Sequence, residues 1–233
     1  MRCPTLCALP IMLSTLACSS SPTGTDPNVT TGIGVVNAFA SSVDLLVDGA
    51  TATTGISPGT FSSVTANPGK HTVSLRPTAG GSAVGVEMKV VDGRVVSVAA
   101  TSAAGGALFT ASLEDTNAVV PAGATKLRVL HLAALTGEVQ VWRTQPDWST
   151  PIRWQFPFTY SPTISAIGNP YFQSTVGTWD VRVWTDTTIH HPGDPALWAT
   201  PLDAVTIALG SGEKKTVVIL DKPGGGVKFM VIE

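Results

Sequence analysis

The sequence predicts an all-β fold, arranged as two tandem immunoglobulin-like β-sandwich domains that follow a signal peptide and a flexible tether. From residue 32 onward, short runs rich in Val, Leu, Thr and Ala are separated by Gly, Pro, Asn and Asp. No stretch sustains the 3.6-residue period of a helix. The order of these runs also occurs twice along the chain. Short strands with turn signals about every ten residues are typical of β-sandwiches.

Residues 1–17 have the features of an export signal. Arg2 precedes an apolar stretch of roughly 12 residues, which is shorter than the roughly 20 that a membrane-spanning helix needs. The stretch ends at Thr15-Leu16-Ala17-Cys18, which resembles the processing site of bacterial lipoproteins, where the cysteine becomes the lipid-modified first residue. We therefore expect a membrane anchor at Cys18. The alternative is an ordinary signal peptide cut near Ala17 or Ser21, which would release a secreted protein.

Residues 18–31 are rich in Ser, Thr and Pro and are predicted to form a flexible tether. Ser19 after the cysteine resembles the sorting signal of outer-membrane lipoproteins in Gram-negative bacteria. We therefore expect the bacterial cell envelope and the outer membrane, on the periplasmic or the surface side. Cys3, Cys7 and Cys18 all lie in the signal region, so no disulfide is expected in the folded part.

Composition and motifs limit the function classes. The net charge is −2 with only 13% charged residues. Nucleic-acid binding needs clustered Lys and Arg to neutralise phosphates, so we do not expect a nucleic-acid partner. The chain contains no His-Glu-x-x-His, Gly-x-Ser-x-Gly, phosphate-binding glycine loop or EF-hand motif. We therefore expect no catalytic residues, no metal and no cofactor.

The two repeats are predicted at residues 32–115 and 126–233, with a linker at 116–125. Three pairs of segments match in order and spacing: Gly34–Gly49 with Leu127–Thr144, Gly69–Pro77 with Gly177–Thr185, and Val84–Asp115 with Leu202–Glu233. Asp92-Gly93 and Gly210-Ser211-Gly212 fall at the same hairpin turn, where a positive φ is expected. Alternation predicts that one face of each strand is buried. The predicted core residues are Val43, Leu45, Val73 and Leu75, with Val139, Val141, Val181 and Val183 as their counterparts.

These segments resemble a known family. The string from Val35 to Gly49, the segment Asn67–Pro77 and the strand, glycine turn and strand after Val84 are similar to domain of unknown function 4397. The family pattern includes a histidine-containing start. In the second repeat this start corresponds to Val129–Ala133, which contains His131 but otherwise departs from the pattern. The resemblance implies a β-sandwich in an exported protein, often in tandem, and it implies no activity.

Aromatic residues distinguish the second repeat, which holds all six Trp and both Tyr. If Val139 and Val141 face the core, alternation places Trp142 on the opposite face, and likewise Trp184 beside Arg182. One interpretation is that the insertion Thr144–Val176 covers these indoles. A second is that Trp142, Arg182 and Trp184 form a stacking surface for a sugar ring or a protein. A third is contact between the repeats.

The loop at residues 186–195 places His190 and His191 near Asp186 and Asp194. Zinc takes such ligands, but adjacent histidines seldom face one ion, so a solvated turn is predicted. His71 and His131 are expected to be residues of the sheets.

Together these observations predict a non-catalytic binding or structural protein of the cell envelope, with a protein or carbohydrate ligand. The alternative is a secreted hydrolase that uses carboxylates of the second repeat, Asp180 with Asp186 or Asp194. Glycosidase chemistry would need two such carboxylates about 5 to 9.5 Å apart.

Overall fold

The computed structural model describes residues 31–102, 107–113, 120–145, 152–158, 171–185, 200–222 and 224–232. The predicted signal, Cys18 and the tether up to residue 30 therefore lie outside the described residues, as does the loop with His190 and His191. The described residues form sixteen strands and no helix, which confirms the all-β class. Within those ranges, no helix has the length and apolar character needed to cross a membrane.

The first half of the chain contains eight strands. They are β1 (Gly32–Asn37), β2 (Val43–Val47), β3 (Ala50–Ile56), β4 (Phe61–Thr65), β5 (Gly69–Pro77), β6 (Val84–Val90), β7 (Val95–Ser102) and β8 (Leu108–Ser112). The second half contains β9 (Ala124–His131), β10 (Val139–Thr144), β11 (Ile152–Phe158), β12 (Phe172–Thr175), β13 (Gly177–Trp184), β14 (Asp203–Leu209), β15 (Lys214–Asp221) and β16 (Val227–Ile232).

The strands form four sheets of four strands each, and the two halves have the same strand order. Sheet A is β4-β1-β7-β8 and sheet B is β3-β2-β5-β6. Sheet C is β12-β9-β15-β16 and sheet D is β11-β10-β13-β14. In A and C the first and seventh strands of the half run parallel, whereas the other neighbours are antiparallel. The same pair of strand orders therefore occurs twice among the described strands.

Each pair of sheets shares one hydrophobic core. Ile33 and Val35 of sheet A meet Leu45 and Leu75 of sheet B, and the same arrangement recurs between C and D. All predicted core residues are buried: Val43, Leu45, Val73, Leu75, Val139, Val141, Val181 and Val183. Burying a Val or Leu side chain contributes about 1.5 to 3 kcal/mol, so these faces provide most of the driving force for folding.

A third apolar cluster joins the outer faces of sheets A and C, and we call it the shared cluster. Its members are Val36, Ala99, Leu113, Leu130, Leu132, Val218, Leu220 and Ile232, with Ala38 and Met230 packed against it. Two hydrogen bonds cross between the halves beside it: Lys228 Nζ donates to the Gly59 carbonyl at 2.8 Å, and the Arg128 guanidinium donates to the Leu113 carbonyl at 2.8 Å. The central strands of sheets A and C, β1 with β7 and β9 with β15, are therefore covered on both faces over most of their length.

β2 and β3 form a hairpin, and its turn requires two residues in the left-handed region of backbone conformation. Asp48 has a φ of 52° and Gly49 a φ of 82°, the combination that suits a two-residue type I′ turn. The Asp48 carboxylate then reaches β5, where it accepts from the Thr72 amide at 2.9 Å and contacts His71 Nδ1 at 2.7 Å. His71 Nε2 faces the Asn67 carbonyl at 2.9 Å, so both ring nitrogens meet oxygen acceptors, an arrangement that suits the protonated ring.

This contact predicts a pH-dependent stability. The hydrogen bond to Asp48 raises the pKa of His71 above 6.5, and the Thr72 amide followed by His71 lowers the pKa of Asp48 below 3.8. A raised histidine pKa stabilises the fold below 6.5 and loses this effect as pH rises through the folded value. A lowered aspartate pKa stabilises above 3.8 and is lost as pH falls through the folded value. The pair should therefore stabilise most between pH 3.8 and 6.5.

The measurement is urea denaturation of the wild type and His71→Gln from pH 3 to 8. We expect the difference in unfolding free energy to peak inside that window and to decline on both sides. A difference that does not vary with pH would show that the contact does not titrate with folding.

Candidate functional site

The candidate site lies on the outer face of sheet D, where β10 and β13 run side by side. Their register places Trp142 opposite Arg182 and Gln140 opposite Trp184. All four side chains lie on the face opposite the core residues Val141 and Val183, as alternation predicts. The fold therefore brings Trp142, Arg182 and Trp184 together on two adjacent strands.

Both indoles are buried. Trp142 is 3% exposed and Trp184 is 5% exposed, and the two form an apolar cluster of their own, separate from the core. Trp142 Nε1 donates to the Gln140 side-chain oxygen at 3.2 Å. An open stacking platform would leave the indole faces accessible, so this burial favours the alternative in which they are covered. The insertion Thr144–Val176, expected to cover them, contributes the edge strands β11 to sheet D and β12 to sheet C, and the rest of it lies mostly outside the described residues.

The charged groups beside the indoles contact each other. The Asp180 carboxylate accepts from the Thr206 hydroxyl at 2.7 Å and lies 3.9 Å from the Arg182 guanidinium. Burial lowers the pKa of Arg182, and Asp180 opposes that change. The hydrolase alternative names three carboxylates. Asp180 contacts Thr206 and Arg182 within sheet D, and Asp186 and Asp194 lie outside the described residues.

The same face in the first half is built from an ion pair. Asp44 stands opposite Arg76 on β2 and β5, at the positions that Gln140 and Trp184 occupy on β10 and β13. The Asp44 carboxylate accepts from Arg76 at 2.9 Å, from the Thr78 hydroxyl at 2.7 Å and from the Gly55 amide at 3.0 Å. These bonds, Arg76 first, lower the pKa of Asp44. Where the first half has the Asp44–Arg76 ion pair, the second half therefore has an amide and a buried indole, Gln140 and Trp184.

A buried polar residue recurs at the end of the first strand of each half, a feature that sequence reasoning missed. Asn37 donates to the Ser41 carbonyl at 2.9 Å and to the Ile56 carbonyl at 2.7 Å. His131 holds the corresponding position and contacts the Gly137 carbonyl through Nε2 at 2.9 Å, and its burial lowers its pKa. Both residues fix the turn that leads to the next strand. Each of these residues could have been noticed in the sequence as a polar residue within an otherwise apolar strand.

The described residues hold no group of three or more His, Cys, Asp or Glu side chains that could bind a metal ion. His71 and His131 lie in strands, as expected.

A match to a known family covers the first half of the chain. Residues 31–142 match the family described as domain of unknown function (DUF4397). A DUF4397 domain is therefore present at these residues, which include β1 to β9 and the start of β10. This confirms, for that part of the chain, the resemblance visible in its strand and turn pattern.

Curated proteins and solved structures were also compared with the chain. No curated protein matches the chain. Among solved structures the chain is similar to a leucine-rich repeat protein from Bacteroides thetaiotaomicron, with 11% sequence identity and a TM-score of 0.20. The similarity covers 80% of this chain and 25% of that one, so the chain spans a quarter of that protein's length.

Proposed function

We propose that the chain is an exported, lipid-anchored protein with a non-catalytic binding or structural role in the bacterial cell envelope. It would consist of two tandem immunoglobulin-like sandwiches at residues 32–115 and 126–233. The strand order that occurs twice, with one core for each pair of sheets, supports this division.

The state of Asp180 is the observation that carries the non-catalytic role. The Asp180 carboxylate accepts from the Thr206 hydroxyl and lies 3.9 Å from the Arg182 guanidinium, and these contacts within sheet D suit a structural role. The same use of a carboxylate on the outer face occurs at Asp44 in the first half. The ligand of such a protein would be another protein or a glycan.

Lipidation at Cys18 would supply the membrane partner and place the protein at the outer membrane, on the periplasmic or surface side. The sequence of residues 15–19 and the tether behind it support this anchor. A lipid-modified cysteine with more than one acyl chain anchors stably, since each buried CH₂ contributes about 0.8 kcal/mol.

The test is fractionation of cells that express the wild type or Cys18→Ser. We expect the wild type in the membrane fraction and the variant in the soluble fraction, because the variant cannot be acylated. Both fractions are also assayed for hydrolysis of aryl glycosides, where we expect no activity above an empty-vector control. Equal membrane partition would contradict the anchor, and hydrolysis that depends on Asp180 would contradict the non-catalytic role.

A further inference from the structure

The strand β4 (Phe61–Thr65) is an edge strand of sheet A, where β1 is its one neighbour among the described strands. The register between β1 and β4 has no shift along its whole length. Just beyond its two ends, the Asn37 amide donates to the Thr60 carbonyl and the Ala66 amide donates to the Thr31 carbonyl. In an antiparallel ladder every second residue of a strand turns its backbone groups toward the same neighbour. Residues at even positions of β4 therefore bond to β1.

The opposite side of β4 is a row of unpaired backbone groups, which we call the free edge. By the same alternation, the amides and carbonyls of Phe61, Ser63 and Thr65 point away from β1. No hydrogen bond from another described residue reaches them. The Phe61 ring lies over Gly34 of β1, where a Cβ atom would come within 2.7 Å of it. The ring therefore packs over its own sheet and leaves the free edge uncovered.

Other edges of the sheets carry features that discourage strand pairing, and β4 lacks these features. β3 and β11 each contain two register shifts, and β6 exposes the charged residues Glu87 and Lys89. The edge strand β8 is tied to β6 by a hydrogen bond from the Thr110 hydroxyl to the Val84 carbonyl. Bulges, charges and coverage are the usual protection of an edge. Because β4 is regular and uncharged, its free edge is suited to accept another strand.

We propose that a second copy of this chain pairs with the free edge, antiparallel and about a two-fold axis at Ser63. Ser63 then faces its own counterpart, and Phe61 faces Thr65 of the other copy on both sides of the axis. Aromatic and β-branched residues pair favourably across strands, and no like charges meet. A two-fold interface requires such a self-complementary surface. The proposal does not depend on the proposed function.

This register uses every unpaired backbone group of both edges. The three outward residues of each copy offer three amides and three carbonyls, so two copies form six hydrogen bonds. The two four-stranded sheets A would then continue as one sheet of eight strands. A few exchanged hydrogen bonds support only weak association, which we expect at concentrations between about 1 μM and about 1 mM.

The first test is sedimentation equilibrium of the Cys18→Ser chain over that range, so that no lipid contributes. We expect a reversible monomer–dimer equilibrium. Ser63→Lys should raise the dimer Kd at least about tenfold, because two ammonium groups would meet at the axis. Ser63→Pro should have the same effect, since it removes an amide that β1 does not use. Thr51→Lys is the matched control, because Thr51 is exposed on the shifted edge strand β3. It should leave the Kd unchanged.

The second test is amide hydrogen exchange of the same chain at low and high concentration, followed by nuclear magnetic resonance. Dimerisation should slow exchange at Phe61, Ser63 and Thr65, whereas the amides of Ser62 and Val64 should be protected at both concentrations. A chain that stays monomeric up to about 1 mM would contradict the proposal. A dimer that Ser63→Lys does not weaken would also contradict it, because another surface would then form the contact. If only an added peptide of residues 60–66 protects these amides, the edge accepts a separate strand and the second copy is the wrong partner.

Discussion

Replacing Trp142 and Trp184 together by alanine is expected to remove most of the stability of the second half of the chain. Both indoles are buried and contact each other, away from the core. A buried Trp→Ala change costs about 3 to 5 kcal/mol, whereas whole domains are stable by only about 5 to 15 kcal/mol. Because the two side chains touch, the double variant should lose less unfolding free energy than the sum of the losses in the two single variants.

The measurement is urea denaturation followed by far-ultraviolet circular dichroism, which does not depend on indole fluorescence. Leu46→Ala is the matched control, since Leu46 occupies on β2 the position that Trp142 has on β10. Because Leu46 is only partly buried, its replacement should cost far less. An unchanged midpoint in the double tryptophan variant would contradict the buried packing and would restore the interpretation of these residues as a stacking surface.

Val218→Asp is expected to separate the two halves. Val218 is fully buried in the shared cluster, where no water can solvate a carboxylate. Burying an unpaired charge costs several kcal/mol or forces the surfaces apart. Since each half has its own core, we expect the contact between sheets A and C to open while both cores remain.

Scanning calorimetry checks this result. The wild type should unfold in one transition because the shared cluster couples the halves, and the variant should show two transitions at lower temperature. Thr178→Asp serves as the control, because Thr178 is exposed on β13 and a charge there stays in water. A single transition at the wild-type temperature in Val218→Asp would show that the halves are not coupled through this cluster.

The core faces of sheets B and D could be predicted from sequence because their core residues occupy every second position of a strand. Val73 and Leu75 alternate with Thr72, Ser74 and Arg76, and both are buried as predicted. Sheets A and C behave differently. All six residues of β1 are buried, and a strand covered on both faces gives a continuous apolar run in place of an alternating one.

The candidate site could be predicted only in part. Alternation placed Trp142 and Trp184 each on the face opposite the core, because parity along a strand is a local property, whereas the pairing of their strands β10 and β13 is a property of the fold. Their burial depends on what lies above the sheet, which no local pattern specifies. The contacts of His131 and Arg128 were missed for the same reason, since Gly137 and Leu113 are brought to them only by the folded chain.

The shared cluster between sheets A and C also determines how the protein would present itself at a membrane. The sheets follow one another as four layers in the order B, A, C, D, because each neighbouring pair shares an apolar cluster. With sheets packed about 10 Å apart, the outer layers B and D lie roughly 30 Å from each other. The proposed tether enters at Gly32, the first residue of β1, which belongs to an inner layer. A lipid anchor would therefore hold the stack near its middle, with sheet B and its Asp44 ion pair on one side and sheet D with Trp142 and Trp184 on the other.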